Sequence, residues 1–99
     1  MAVSNVYGAI DQTRVTIGVI NIWTAVAIPV GARNAMLQLE DQTATGRVST
    51  NTLISATTEG GVLLPGTAMT IAGTAAAIVT FYVASDKLTS AILIYTLDQ

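Results

Sequence analysis

Polar and apolar residues alternate along much of this 99-residue chain. Nowhere do they recur with the 3.6-residue period of an amphipathic helix. Residues 34–40 are the clearest case: Ala35, Leu37 and Leu39 share one parity, Asn34, Gln38 and Glu40 the other, with Met36 as the exception. That pattern predicts a half-buried antiparallel strand. Strands are expected near 3–7, 14–22, 24–29, 34–40, 46–50, 52–57, 67–72, 77–84 and 90–97. Some neighbours among them form one bent strand, giving seven or eight in all. Between them lie segments holding Gly, Pro, Asp or Asn, such as IPVGAR, EDQTATG, TTEGGV, LPGT and SDKLTS, which supply turn geometry. Within 14–22 the apolar parity switches beside Gly18, from Val15, Ile17 and Val19 to Ile20 and Ile22. Such a phase change predicts a β-bulge or a bend at a sheet corner.

Two stretches, 15–32 and 60–85, carry no charge and are long enough to raise the question of a membrane span. Their content argues for strands. Thr16, Asn21, Thr24, Pro29 and Gly31 interrupt the first; Pro65, Gly66 and Gly73 and several threonines interrupt the second. A spanning helix would carry Leu and Phe at those places and a basic flank to orient it. The fold class expected is therefore all-β, an antiparallel β-sandwich of seven to eight strands, wound as a jelly-roll or another Greek key. Residues 1–13 read as an N-terminal arm or short edge strand, and 14–99 as a single β-sandwich domain.

The last two strands are apolar on both faces. In 77–84, Ile78 and Tyr82 oppose Val79, Phe81 and Val83; in 90–97, Leu93, Tyr95 and Leu97 oppose Ile92 and Ile94. A sandwich buries one face of each sheet, so the other face needs cover. With turns this short the chain has little loop to supply it, and a subunit interface is the economical reading. Val79, Phe81, Val83, Ile92 and Ile94 are the apolar candidates. Arg14, Arg33, Glu40 and Arg47 would set orientation, because charge pairs at interfaces fix register more than they add affinity.

Composition narrows the chemistry. Charged residues make up only 10% of the chain and the formal net charge is −2, with no basic run to follow a nucleic-acid backbone. The absence of His and Cys removes the usual general base, triad, thiolate and zinc ligands. Glu40 and Asp41 are adjacent and, on a strand, would point to opposite faces. Neither an enzyme activity nor a metal or cofactor is expected. Trp23, at a strand end among apolar residues, reads as a core plug rather than a sugar-stacking platform. The N-terminus lacks the basic and apolar regions of a signal peptide, so synthesis in a cytoplasm is expected.

The segment IPVGARNAMLQLE, the Arg47 strand, the LPGT turn and the closing pair IVTFYVAS and SAILIYTL resemble the small virion proteins of tailed bacteriophages, of the head-decoration, cement or fibre-base type. The matching positions are Ala32, Ala35, Gln38, Glu40, Arg47, Gly66, Phe81 and Tyr95, spread over the chain from residue 28 on. The Gly-x-Pro-Thr segment usual after the Arg strand is replaced here by VSTNTLIS, which alters a loop that often reaches a neighbour. The resemblance implies a non-enzymatic, homo-oligomeric sandwich, expected as a homotrimer, that binds the major capsid protein and stabilises the capsid lattice. It would be made in the host cytoplasm and reside on the capsid surface, with no nucleic acid and no membrane as partner. The alternative is a small β-sandwich binding module for carbohydrate or receptor recognition.

Overall fold

The computed structural model of the chain describes residues 9–74 and 79–97. The strand expected at 3–7 and the start of the one expected at 77–84 lie outside them. Eight strands follow one another: β1 (Ala9–Ile17), β2 (Thr24–Ile28), β3 (Ala32–Leu39), β4 (Gly46–Ser49), β5 (Gly61–Leu63), β6 (Ala68–Thr74), β7 (Val79–Ser85) and β8 (Thr89–Leu97). They form two antiparallel four-stranded sheets, ordered β1-β8-β3-β6 and β2-β7-β4-β5. The expected all-β sandwich is what forms. No helix among the described residues is long and apolar enough to cross a membrane; the uncharged stretch from 15 to 32 runs through β1, β2 and the start of β3.

The winding is simple. β1 pairs with β8, β2 with β7, β3 with β6 and β4 with β5, all antiparallel. The chain is thus one long antiparallel ribbon, its two arms rolled together so that successive strands fall in opposite sheets. Only the β4–β5 connection stays within a sheet.

Alternation assigns the faces. Ala35, Leu37 and Leu39 of β3 and Ala91, Leu93 and Tyr95 of β8 meet Val26, Ile28, Leu63, Phe81 and Val83 from the opposite sheet. Burial of these aliphatic and aromatic groups is the main driving term for folding, at about 1.5–3 kcal/mol per large side chain. The Tyr95 hydroxyl, at the margin of the core, lies 3.3 Å from Thr13 Oγ1 and is satisfied there.

The bend expected beside Gly18 is real: β1 ends at Ile17 and residues 18–23 cross to the other sheet, with Asn21 in the left-handed region at φ 60°. β1 also begins earlier than expected, pairing with β8 from Ala9. A register shift, which the sequence did not announce, lies in β3 between Arg33 and Met36, where Asn34 adopts φ 53°. Asn tolerates that region better than other non-glycine residues.

One expected strand is absent. Residues 52–57 form turns inside the 50–60 connection. Their polar side chains hydrogen-bond their own backbone: Asn51 Oδ1 accepts from Leu53 N (2.9 Å), Ser55 Oγ from Thr57 N (3.2 Å) and Glu59 Oε1 from Ser55 N (2.9 Å). Such local bonds compete with a sheet ladder. The strand forms later, at Gly61–Leu63.

Candidate functional site: the uncovered surfaces

The outer face of the first sheet gathers four of the residues nominated from sequence. Register sets Arg14, Ile92 and Gln38 side by side on β1, β8 and β3, and beside them Gln12, Ile94 and Met36. Ile94 and Met36 are 37% and 43% exposed; with half-buried Ile92 they make a short apolar stripe. Arg14 Nη2 donates to Glu40 Oε1, an ion pair that reaches across β8. The Glu40 hydrogen bond, and then its charge, raise the Arg14 pKa further above its ordinary value. Arg33 sits toward the other end of this sheet, opposite Thr96, whose hydroxyl donates to the Arg33 carbonyl at 3.2 Å.

Phe81 and Val83 are corrections. They are 2% and 0% exposed and point into the core, so they offer nothing to a neighbour. Both parities of β7 carry apolar groups. The structure turns outward the parity holding Thr80 and Tyr82, and turns inward the parity of Phe81 and Val83, whose one polar side chain, Ser85, comes at the strand's end and accepts from Lys87 N at 3.1 Å. Val79 opens β7 opposite Ile28; its side chain lies outside the described residues.

Part of the second sheet is covered by the chain itself, with Val62 on β5 left exposed. The 50–60 connection folds back across the outer face, where Trp23 Nε1 donates to the Ile54 carbonyl at 3.0 Å. Gly60 passes so close that a Cβ there would lie 2.8 Å from the Val48 carbonyl oxygen and 3.3 Å from the Trp23 ring. Ala84, on the outward parity of β7, is thereby only 1% exposed. Trp23 is half-buried under this connection rather than a core plug, a second correction.

The larger apolar exposure was not nominated from sequence. Four connections cross between the sheets at one end of the sandwich: 18–23, 86–88, 40–45 and 64–67. The first carries exposed Val19, Ile20 and Ile22, and the second carries Leu88, 66% exposed. Hydrogen bonds hold these loops in place. Asn21 N donates to the Ser85 carbonyl at 2.8 Å, Thr45 N to Asp86 Oδ1 at 2.9 Å, and Lys87 Nζ to Thr43 Oγ1 at 2.8 Å. Asp41 N donates to Thr89 Oγ1 at 2.8 Å. The Thr43 hydroxyl and then the Thr43 amide, both donating to Asp41 Oδ1, lower the Asp41 pKa below its ordinary value, with a smaller contribution from Lys87. The phase change beside Gly18 was the available signal: aliphatics that fit neither strand parity belong to a corner.

A cleft of about 220 Å³ opens on the second sheet, between the 50–60 connection and the ends of β4 and β7. Arg47, nominated for an interface, lines it instead. Among the described residues no three Asp, Glu, His or Cys come together as a metal-binding group. Comparison of the chain with protein-family models, with curated proteins and with solved structures found no match.

Proposed function

We propose that this chain is a structural protein, without catalysis, that works by packing against copies of itself and against a larger symmetric lattice. The observation that carries this reading is the set Val19, Ile20, Ile22 and Leu88, aliphatics presented to water by hydrogen-bonded loops. Exposed side chains on floppy loops bury themselves against the nearest surface. Held out on a braced corner, they favour a partner, because the ordering cost is already met on folding. Ile94 and Met36 on the first sheet provide a second, smaller apolar contact. Two separate contact surfaces suit a subunit that both self-associates, as a homotrimer, and docks on something else.

The winding supports the finer fold within this reading. A ribbon paired β1·β8, β2·β7, β3·β6 and β4·β5 is how an eight-stranded jelly roll is wound, an architecture used by viral capsid domains and by lectins. Architecture alone does not assign a role. The tailed-phage setting, with a major capsid protein as partner and a capsid-surface location, rests on the sequence resemblance over residues 28–99.

Light scattering on the purified chain tests the proposal against Ile22→Lys and Leu88→Lys. The expected result is a discrete oligomer for the parent chain and a folded monomer for each variant. A parent chain that stays monomeric at high concentration and does not sediment with phage capsids overturns the proposal.

A further inference from the structure

The cleft on the second sheet has a chemistry of its own. Arg47 projects from β4 on the outward parity, between Ala84 of β7 and Val62 of β5. It is half-buried, yet among the described residues its guanidinium has neither an ion-pair nor a hydrogen-bond partner. Its guanidinium nitrogens still meet water at the cleft, so all five N–H donors are open to an acceptor that enters it. Asp86 lines the same cleft, where one carboxylate oxygen accepts from Thr45 N at 2.9 Å. The two charges are not joined to each other. Asn21 and Thr57 add side chains that both donate and accept, and Ala56 from the connection and Ala84 from β7 add apolar lining.

We propose that this cleft binds one acidic sugar residue, a hexuronate unit, with its carboxylate on Arg47 and its ring hydroxyls on Asn21, Thr57 and Asp86. Three features select that class. The forked guanidinium matches a carboxylate in a bidentate pair, the strongest hydrogen-bonded contact open to it. A carboxylate alone leaves Asp86 facing like charge, whereas sugar hydroxyls donate to Asp86 and accept from Asn21 and Thr57. The volume of about 220 Å³ falls below the roughly 300–1,000 Å³ of drug-sized sites, so it holds a single ring rather than a chain. The walls are built before any ligand arrives. Asn21 is fixed by its left-handed backbone and its bond to Ser85, Thr45 and Asp86 bond each other reciprocally, and Trp23 pins the 50–60 connection. This inference does not depend on self-association.

Titration of the isotope-labelled chain with glucuronate, glucose and acetate, followed by amide chemical shifts, tests it. The expected result is saturable shifts at Asn21, Thr57 and Asp86 with glucuronate, at an affinity about tenfold or more above that for glucose and for acetate. Arg47→Gln should lower glucuronate affinity about tenfold while leaving Trp23 emission unchanged. Should that variant disturb the emission, Thr57→Val serves in its place, and its expected effect is a weaker loss in the same direction. Equal affinity for glucose and glucuronate, shifts confined to β8 or to the 18–23 loop, or no saturable shift with any of the three, overturns the proposal.

Discussion

The two outer faces of this sandwich begin with the same problem and end differently. β7 and β8 both carry apolar side chains on both parities. On the second sheet the outward positions of β7 are Thr80, Tyr82 and Ala84, and the 50–60 connection, anchored by Trp23, buries Ala84 and leaves Thr80 exposed. On the first sheet the outward positions of β8 are Ser90, Ile92, Ile94 and Thr96. The Arg14–Glu40 pair reaches across β8 on this face, and Ile94 stays 37% exposed. One face is covered within the chain around Ala84, with Val62 left exposed at its β5 edge; the other is left with Ile94 and Met36 in water. The lesson is that surplus hydrophobicity read from sequence does not distribute evenly over a molecule. A single long connection covers part of one sheet and leaves the remainder on the opposite sheet, at Val62 and at the 18–23 corner.

If the 50–60 connection is cover, removing its anchor has the largest effect. Trp23→Ala takes away the indole packed under the connection and its hydrogen bond to Ile54, at a cost of about 2–3 kcal/mol, below that of a fully buried aromatic. Urea denaturation should show the loss, and limited proteolysis should cut between 50 and 60. A variant as stable as its parent, with the connection still protected, would mean that Trp23 is a bystander. Gly60→Ala is the next largest. Its φ of +85° and the 2.8 Å approach of a Cβ to the Val48 carbonyl oxygen strain the chain where it re-enters β5, by about 1–2 kcal/mol.

Substitutions on the bare face should behave in the opposite way. Ile94→Lys or Met36→Lys places a charge where water already reaches, so unfolding midpoints should move by no more than about 0.5 kcal/mol. What should change is docking on the lattice, read as lost co-sedimentation with capsids at matched concentration. A large stability loss with co-sedimentation unchanged would show that this face is covered within the chain after all, and the contrast between the sheets would disappear.

Which parts of this contrast were legible depends on how each residue gets its environment. The alternation of Ala35, Leu37 and Leu39 fixed the inward parity of β3, because the opposing parity was polar except for Met36. The same reading was undecided for Phe81 and Val83 against Ile92 and Ile94. With both parities apolar, the choice depends on the opposing sheet, which the local sequence does not contain. The 50–60 connection was misread because Leu53 and Ile54 favour strands. Yet Asn51, Ser55 and Glu59 were there to fold the backbone on itself, a turn signal outweighed by two aliphatics. The cleft was invisible for a different reason: Arg47, Asn21, Thr57 and Asp86 come from four separate segments, and only the ribbon's rolling brings them together.

The smallest expected effect belongs to the braced end of the sandwich and separates it from both faces. Asp41 accepts from the Thr43 hydroxyl and amide, and its folded pKa lies below the ordinary 3.8. A carboxylate depressed in this way adds stability that is fully present above the ordinary value. The contribution is lost as the pH falls through 3.8 toward the folded pKa. Because Asp41 is screened by solvent, the contribution is small, and it concerns the 40–45 loop rather than the sheets. Thermal melts of the parent chain and of Asp41→Asn should therefore converge on the acid side and differ only at neutral pH. Since Thr43 also takes the Lys87 ammonium, acid should loosen the 86–88 loop as well, and with it the presentation of Leu88. Association through the corner should then weaken in acid before association through Ile94 and Met36 does. Melts that run parallel down the whole acid limb would show that Asp41 braces nothing, and that the corner aliphatics are held by the Asn21 and Asp86 backbone bonds alone.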